Sequence, residues 1–339
     1  PTTATPTTAT PTTAAPDHHG GNGGGDDHHG GTDCTEEPER GLGGSSTCAY
    51  PAHVMAIDVG TGNLVWKTAV DQHPASMITA SPLISGDRVL VGVSSSEEDF
   101  ASSNDYKCCS FRGAIVSVNA RTGQLQWKTY TVPPNPTDDR CDRYDSETEE
   151  FGGCPVSGVA VWNTGAIDPL RNTAYFGTGN NYTVDDRTWE CARAAGEDEG
   201  AKARCLGNDN HTESVLAVDL LTGRIKWAKR LGGFDAWNYQ CLFNTGVTWC
   251  PSPHGDDYDF GGNTQLFSAT VNGRSRDLIG IGQKSGIYWT LDRTTGELVW
   301  NTLVGPGSFL GGIEWGSAFT TSTATRPSPT TPAPPTSLA

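Results

Sequence analysis

The clearest order in the chain is a short alternation of apolar and polar positions that runs into a turn and restarts. Four segments carry it: AIDVGTGNLVW (56–66), SVNARTGQLQW (117–127), AVDLLTGRIKW (217–227) and TLDRTTGELVW (290–300). Each alternates up to an Asp or Asn, as a half-buried strand does. A Thr-Gly pair follows, and its glycine supplies the positive φ of a tight turn. A tryptophan stands four residues after Gly62, Gly123, Gly223 and Gly296. It falls on the returning strand, where a large ring can dock between neighbouring sheets. β-Hairpins recurring at such intervals predict an all-β chain built as a β-propeller. A generic sandwich leaves the recurrent TGxxxW unexplained. No stretch has the periodicity of a long amphipathic helix.

The rest of the chain is less ordered. Residues 1–16 read PTTATPTTATPTTAAP, an uncharged Pro/Thr stalk, and residues 17–31 read DHHGGNGGGDDHHGG. His18, His19, His28 and His29 could hold a metal loosely, but a Gly-rich spacer preorganises nothing and reads as a solvated linker. Residues 320–339 are again Thr/Pro-rich. The predicted organisation is a disordered tail over 1–46, propeller blades over 47–319 and a disordered tail over 320–339. The chain begins at Pro1 rather than Met, as a processed or excised segment would.

Charge and cysteines narrow the class. Lys+Arg is 23 against 39 Asp+Glu, a formal charge of −16. This is the wrong sign for a nucleic-acid partner. No run approaches the roughly 18 apolar residues of a membrane span. Ten cysteines fit an oxidising, secreted or periplasmic setting. Eight of them fall into close pairs, Cys34/Cys48, Cys141/Cys154, Cys191/Cys205 and Cys241/Cys250, predicted as local disulfides between strands. There is no CxxC pair with His partners to suggest zinc. Asn210-His-Thr is an exposed-glycan candidate, and Asn181-Tyr-Thr a weaker one.

The four TGxxxW segments resemble the tryptophan-docking repeats of the pyrroloquinoline-quinone (PQQ) dependent alcohol dehydrogenases, the polyvinyl alcohol dehydrogenase-like branch most of all. The resemblance covers about residues 50–319. In MITASPLISGDRVLVGVSSSEE (77–98) it implies cofactor contacts from Thr79 and Ser94 and a metal-binding Glu. Glu97 is preferred, because strand alternation turns only one of the adjacent pair inward; Glu98 is the alternative. In SGVAVWNTGAIDPLRNTAYFGTGNNY (157–182) it implies that Trp162 forms a flat floor for the quinone and that Asn180 gives an amide oxygen to Ca²⁺. In PHGDDYDFGG (253–262) it implies a general base at Asp259, also near the metal, with Asp257 the runner-up. Gly261 stands where some relatives have a further Asp and a larger trivalent metal, which favours Ca²⁺. In IGQKSGIYWTLDRTTG (281–296) it implies that Lys284 reaches the quinone carbonyls. The adjacent Cys108 and Cys109 match a vicinal disulfide that lies on the quinone in several relatives, and Arg112 is a candidate contact to a cofactor carboxylate.

The family's propeller has eight blades, and this chain has motifs for about four to five. FLGGIEWGSAF (309–319) reads as the opening of another blade. The implied protein is a quinoprotein alcohol dehydrogenase-like oxidoreductase using PQQ and Ca²⁺. It would take primary or secondary, including polymeric, alcohols and pass electrons to an external acceptor such as a cytochrome. A partner chain could complete the ring. The competing reading is a non-catalytic propeller, serving as a binding scaffold or an inactive fragment.

Overall fold

The computed structural model describes residues 51–103, 106, 108–134, 143–145, 150–152, 155–242 and 250–318. The tails and the Cys34/Cys48 and Cys141/Cys154 pairings lie outside these residues. All described residues belong to one compact unit.

The four repeats are the outer hairpins of successive blades. The first is a two-stranded sheet, His53–Ile57 with Leu64–Ala69. The next three blades are antiparallel meanders of four strands, the second carrying in addition the short strand Ser76–Met77 paired to the end of its second strand. The second is Leu83–Ser85, Arg88–Ser95, Ala114–Asn119 and Leu125–Tyr130. The third is Ala166–Asp168, Thr173–Gly177, Ser214–Asp219 and Ile225–Arg230. The fourth is Gln265–Val271, Arg274–Gly282, Ile287–Asp292 and Leu298–Leu303.

The turn chemistry explains the motif. The side chain of Asp58, Asn119, Asp219 or Asp292 accepts hydrogen bonds from the two backbone amides two and three residues on. The glycine amide then returns to the backbone carbonyl of that same Asp or Asn. Each glycine has φ between 71° and 74°, a region open to glycine at no steric cost. The missing side chain also makes room for the neighbouring blade. A Cβ on Gly123 would sit 2.7 Å from the ring of Trp66, on Gly223 2.6 Å from Trp127, and on Gly296 2.7 Å from Trp227. Trp66 Nε1 donates to Ala120 O and Trp127 Nε1 to Leu220 O, both at 3.1 Å. Trp66, Trp127 and Trp227 are thus each clamped on the turn of the next blade.

Two expectations are corrected here. The strands ahead of each turn in the second and third blades are buried on both faces rather than half-buried, because a blade is stacked on either side. Residues 309–318 form no strand. They fold back over the fourth blade, with Ile313 N donating to Gln283 O and Trp315 N to Gly261 O. Two short helices, Asp186–Ala194 and Glu199–Cys205, are inserted in the third blade and tied by the Cys191–Cys205 disulfide. Cys241–Cys250 is also bonded. Asn181 and Asn210 are buried and hydrogen-bonded to each other at 2.9 Å, which places neither amide at the surface for a glycan.

Candidate active site

Three blades present the same topological position to one place. The second strands end at Ser95, Gly177 and Gly282, and the next few residues supply Glu97 and Glu98, Asn180, and Lys284. The loops leading into the first strands of the third and fourth blades supply Trp162 and Asp259. Backbone bonds lock these loops together. Gly179 N donates to Ala160 O at 2.9 Å, Phe260 N to Thr178 O at 3.2 Å and Lys284 N to Asp259 O at 2.9 Å.

Asp259 is the hub. Its Oδ1 accepts from Asn180 N at 2.7 Å, and its Oδ2 accepts from Trp162 Nε1 at 2.8 Å. Lys284 Nζ lies 3.2 Å from that Oδ2 and donates to Asp257 Oδ2 at 2.9 Å. It also sits 5.5 Å from the centre of the Trp162 ring. Asn180 Nδ2 donates to Glu98 Oε1 at 3.1 Å. Gly179 is required here, since a Cβ would lie 2.6 Å from Asp259 Oδ1. Asp257, Asp259, Asn180 and Lys284 are all buried. Burial works against the Lys284 ammonium, but the charges of Asp259, Asp257 and Glu98 outweigh it and hold its pKa above the ordinary lysine value. Burial, then the charge of Asp259, pushes the Glu98 carboxyl well up. Hard oxygen donors in excess over one ammonium are the donor set of a cation such as Ca²⁺.

The expected inward residue of the Glu pair changes. Residues 97–100 are a helical turn, not a strand, so alternation does not decide it. Both glutamates point inside, in different directions. The fully buried Glu97 carboxylate accepts from Ser110 N at 2.9 Å, Phe111 N at 2.7 Å and Tyr106 Oη at 2.8 Å. His73 Nε2 is 3.5 Å away. Burial alone would raise the Glu97 pKa, but His73 and these amides outweigh it and lower it. Glu97 therefore anchors the loop after the vicinal cysteines, and it is Glu98 that joins Asn180 and Asp259.

Cys108 and Cys109 are bonded to each other and fully buried. They share an apolar cluster with Phe111, Ala160 and Tyr182, against which Trp162 packs. Thr79 Oγ1 donates to Trp162 O at 3.1 Å, and Ser94 is buried opposite Met77. Trp315 meets Trp162 edge-on at 5.6 Å. Arg112 does not join the cluster. Its guanidinium lies 3.8 Å over the Tyr130 ring and donates to Val132 O at 2.8 Å. There it lines a separate cleft of about 400 Å³ with His73, Ser110 and Lys128.

Sequence reasoning missed two buried carboxyls beside the hub. Asp235 accepts from Tyr258 N at 2.9 Å, and burial raises its pKa to about 7. Glu213 accepts from Gln283 Nε2 at 2.6 Å and is raised well above the ordinary value, by burial and then by Asp235. Asp235 follows an aromatic in FDAW (234–237), as Asp259 does in YDF, and this was the available signal; nothing local marks Glu213. Among the described residues one His/Cys/Asp/Glu group also has metal-like spacing, Cys241, Cys250 and His254, but its two sulfurs are bonded to each other.

The family model for the glucose/ethanol/alcohol dehydrogenase β-propeller domain (PQQ) matches residues 67–243. The chain belongs to this PQQ alcohol dehydrogenase propeller family. Polyvinyl alcohol dehydrogenases of a Pseudomonas species and of Sphingopyxis sp. strain 113P3 are 32% and 33% identical over 78% of the chain. The chain spans 36% of the length of each. Among solved structures, the quinohemoprotein alcohol dehydrogenase ADHIIG of Pseudomonas putida HK5 superposes with a TM-score of 0.50 at 23% identity, covering 75% of this chain and 32% of that one. This likeness shows the fold, a part of the relatives' propeller.

Proposed function

We propose that this propeller segment carries the catalytic centre of a PQQ-dependent alcohol dehydrogenase acting outside the cytoplasm. The observation that carries this is the convergence of Asp259, Lys284, Asn180, Glu98 and Trp162 from three blades. Trp162 and the apolar cluster holding the vicinal disulfide offer the ring faces a flat aromatic cofactor needs. Thr79, Ser94 and Lys284 supply polar contacts at its edge. Glu98, Asn180 and Asp259 would hold Ca²⁺. When bound, PQQ supplies the two-electron acceptor and the cation supplies Lewis-acid polarisation.

The protein's own residues do the rest. Asp259, held by the Asn180 amide and Trp162 Nε1, is oriented to take the alcohol's hydroxyl proton. Lys284 sets a positive charge beside the carboxylate oxygen, where it stabilises negative charge that develops during oxidation. Burial of Asp259, Asn180 and Lys284 limits water around them and strengthens each interaction. The electrons leave to an external acceptor such as a cytochrome, and a partner segment completes the ring. Polymeric alcohols are the favoured substrate class, by likeness to the polyvinyl alcohol dehydrogenases. The disulfides support a secreted or periplasmic setting, and among the described residues no helix is long and apolar enough to cross a membrane.

The test is dye-linked alcohol oxidation by the chain supplied with PQQ and Ca²⁺. Asp259→Asn is expected to lower the rate by about 10²–10⁴-fold. Wild-type activity in that variant would remove Asp259 as the base.

A further inference from the structure

We propose that Asp257 is an additional oxygen ligand of the cation, completing a set that the other residues leave short of charge; this rests on the cation-binding reading above. Asp257 has φ 58°, a left-handed backbone conformation that side chains other than glycine rarely adopt. The surrounding loop enforces it. The Asp235 carboxylate accepts from Asp257 N at 3.3 Å and from Tyr258 N at 2.9 Å. A Cβ on nearby Gly255 would meet Asp235 Oδ1 at 2.2 Å, so that carboxylate is packed tightly against the loop. The result turns Asp257 inward.

Its two oxygens are treated differently. Oδ2 accepts from Lys284 Nζ at 2.9 Å. Oδ1 is buried and has no hydrogen-bond partner, on a residue only 3% exposed. A buried carboxylate oxygen with nothing donating to it is costly. A cation held between Asp257, Asp259 and Glu98 removes that cost.

The charge count points the same way. Lys284 bridges Asp257 and Asp259, so its single positive charge is shared between them. Counted as formal charges on the ligands once a cation has displaced their protons, Glu98 and Asp259 against Lys284 leave one negative charge, too little to balance a divalent ion. Adding Asp257 leaves two, which matches Ca²⁺. Affinity of oxygen-donor sites is tuned by the number of charged ligands.

Tb³⁺, a luminescent stand-in for Ca²⁺, gives the readout. Trp162 Nε1 lies 2.8 Å from Asp259 Oδ2, so the indole is an antenna next to the ion. Tb³⁺ is titrated into the PQQ-free chain with excitation of tryptophan, and Ca²⁺ is then used to displace it. Asp257→Asn is expected to weaken both ions by about 10-fold or more, while Asp257→Glu, which keeps the carboxylate, retains most of the affinity. If the Asn variant lacks the wild-type circular dichroism, Asp257→Ser takes its place in the same titration. Sensitised emission with equal affinity in wild type and the neutral variants overturns Asp257 as a ligand and leaves the site reading standing. No sensitised emission from the wild-type chain overturns both.

Discussion

The inter-blade clamp can be isolated with a matched pair of glycine substitutions. Gly62 and Gly223 both have φ 74° and both close the same Asp-initiated turn. Nothing lies within 4 Å of a Cβ built on Gly62. A Cβ on Gly223 would lie 2.6 Å from Trp127 Cε3 and 2.8 Å from Thr129 Oγ1. That hydroxyl donates to Gly223 O at 2.6 Å, so relieving the clash also disturbs a hydrogen bond. Alanine at either position meets the left-handed penalty of roughly 1–2 kcal/mol. At Gly223 overpacking adds roughly 1–3 kcal/mol. Gly62→Ala is therefore expected to cost about 1–2 kcal/mol and Gly223→Ala about 2–5 kcal/mol. Urea unfolding followed by tryptophan fluorescence measures both, with the slope checked for constancy. Equal losses would show that the turn conformation alone, and not the seating of Trp127 on the next blade, sets the glycine requirement.

Two further outcomes are expected. Glu97→Gln should lower stability by loosening the Ser110–Phe111 loop while Tb³⁺ affinity stays near wild type; Glu98→Gln should do the reverse, and a loss of ion binding on changing Glu97 instead would restore it as the ligand. Between the third and fourth blades, Asp168 pairs with Arg171 at 2.8 Å and Arg293 at 3.1 Å. Burial would raise its pKa, but these arginines outweigh it and lower it below the ordinary 3.8. The depressed folded pKa means the stabilisation is present above about pH 4 and is lost as pH falls through the folded value. Asp168→Asn should cost about 3 kcal/mol near neutrality and flatten the acid limb of the stability curve; an unchanged limb would show that the pair is not what acid disrupts.

Much of the architecture is local and therefore legible. An Asp or Asn that caps its own turn, a Thr-Gly and a Trp four residues on each act within a dozen residues, so the hairpins and the propeller could be read directly. Trp162, Asn180, Asp259 and Lys284 were each singled out from a short stretch, and the structure brings their side chains together. Where the structure places a side chain differently from the local reading, the reason is identifiable. The Glu97/Glu98 choice assumed that the strand continued, but it ends at Ser95 and a helical turn begins, which sends the two side chains to different partners. Arg112 is drawn to the Tyr130 face and the Val132 carbonyl, neither of which its local sequence announces. Residues 309–318 carry blade-like apolar spacing yet pack on Gln283, Gly261 and Trp162, because an available tertiary surface outweighs a weak strand pattern.

By itself, then, the sequence determined the repeat, its turn chemistry and the kinds of groups available for chemistry, because those depend on contacts within a hairpin. Only the tertiary structure decided which carboxylates share one buried space. Glu98 is far from Asp257 and Asp259 in the chain and differs by a single position from Glu97, which points elsewhere. Their common burial around Lys284 depends on the stacking of three blades, and that stacking, not any local pattern, sets their charge balance.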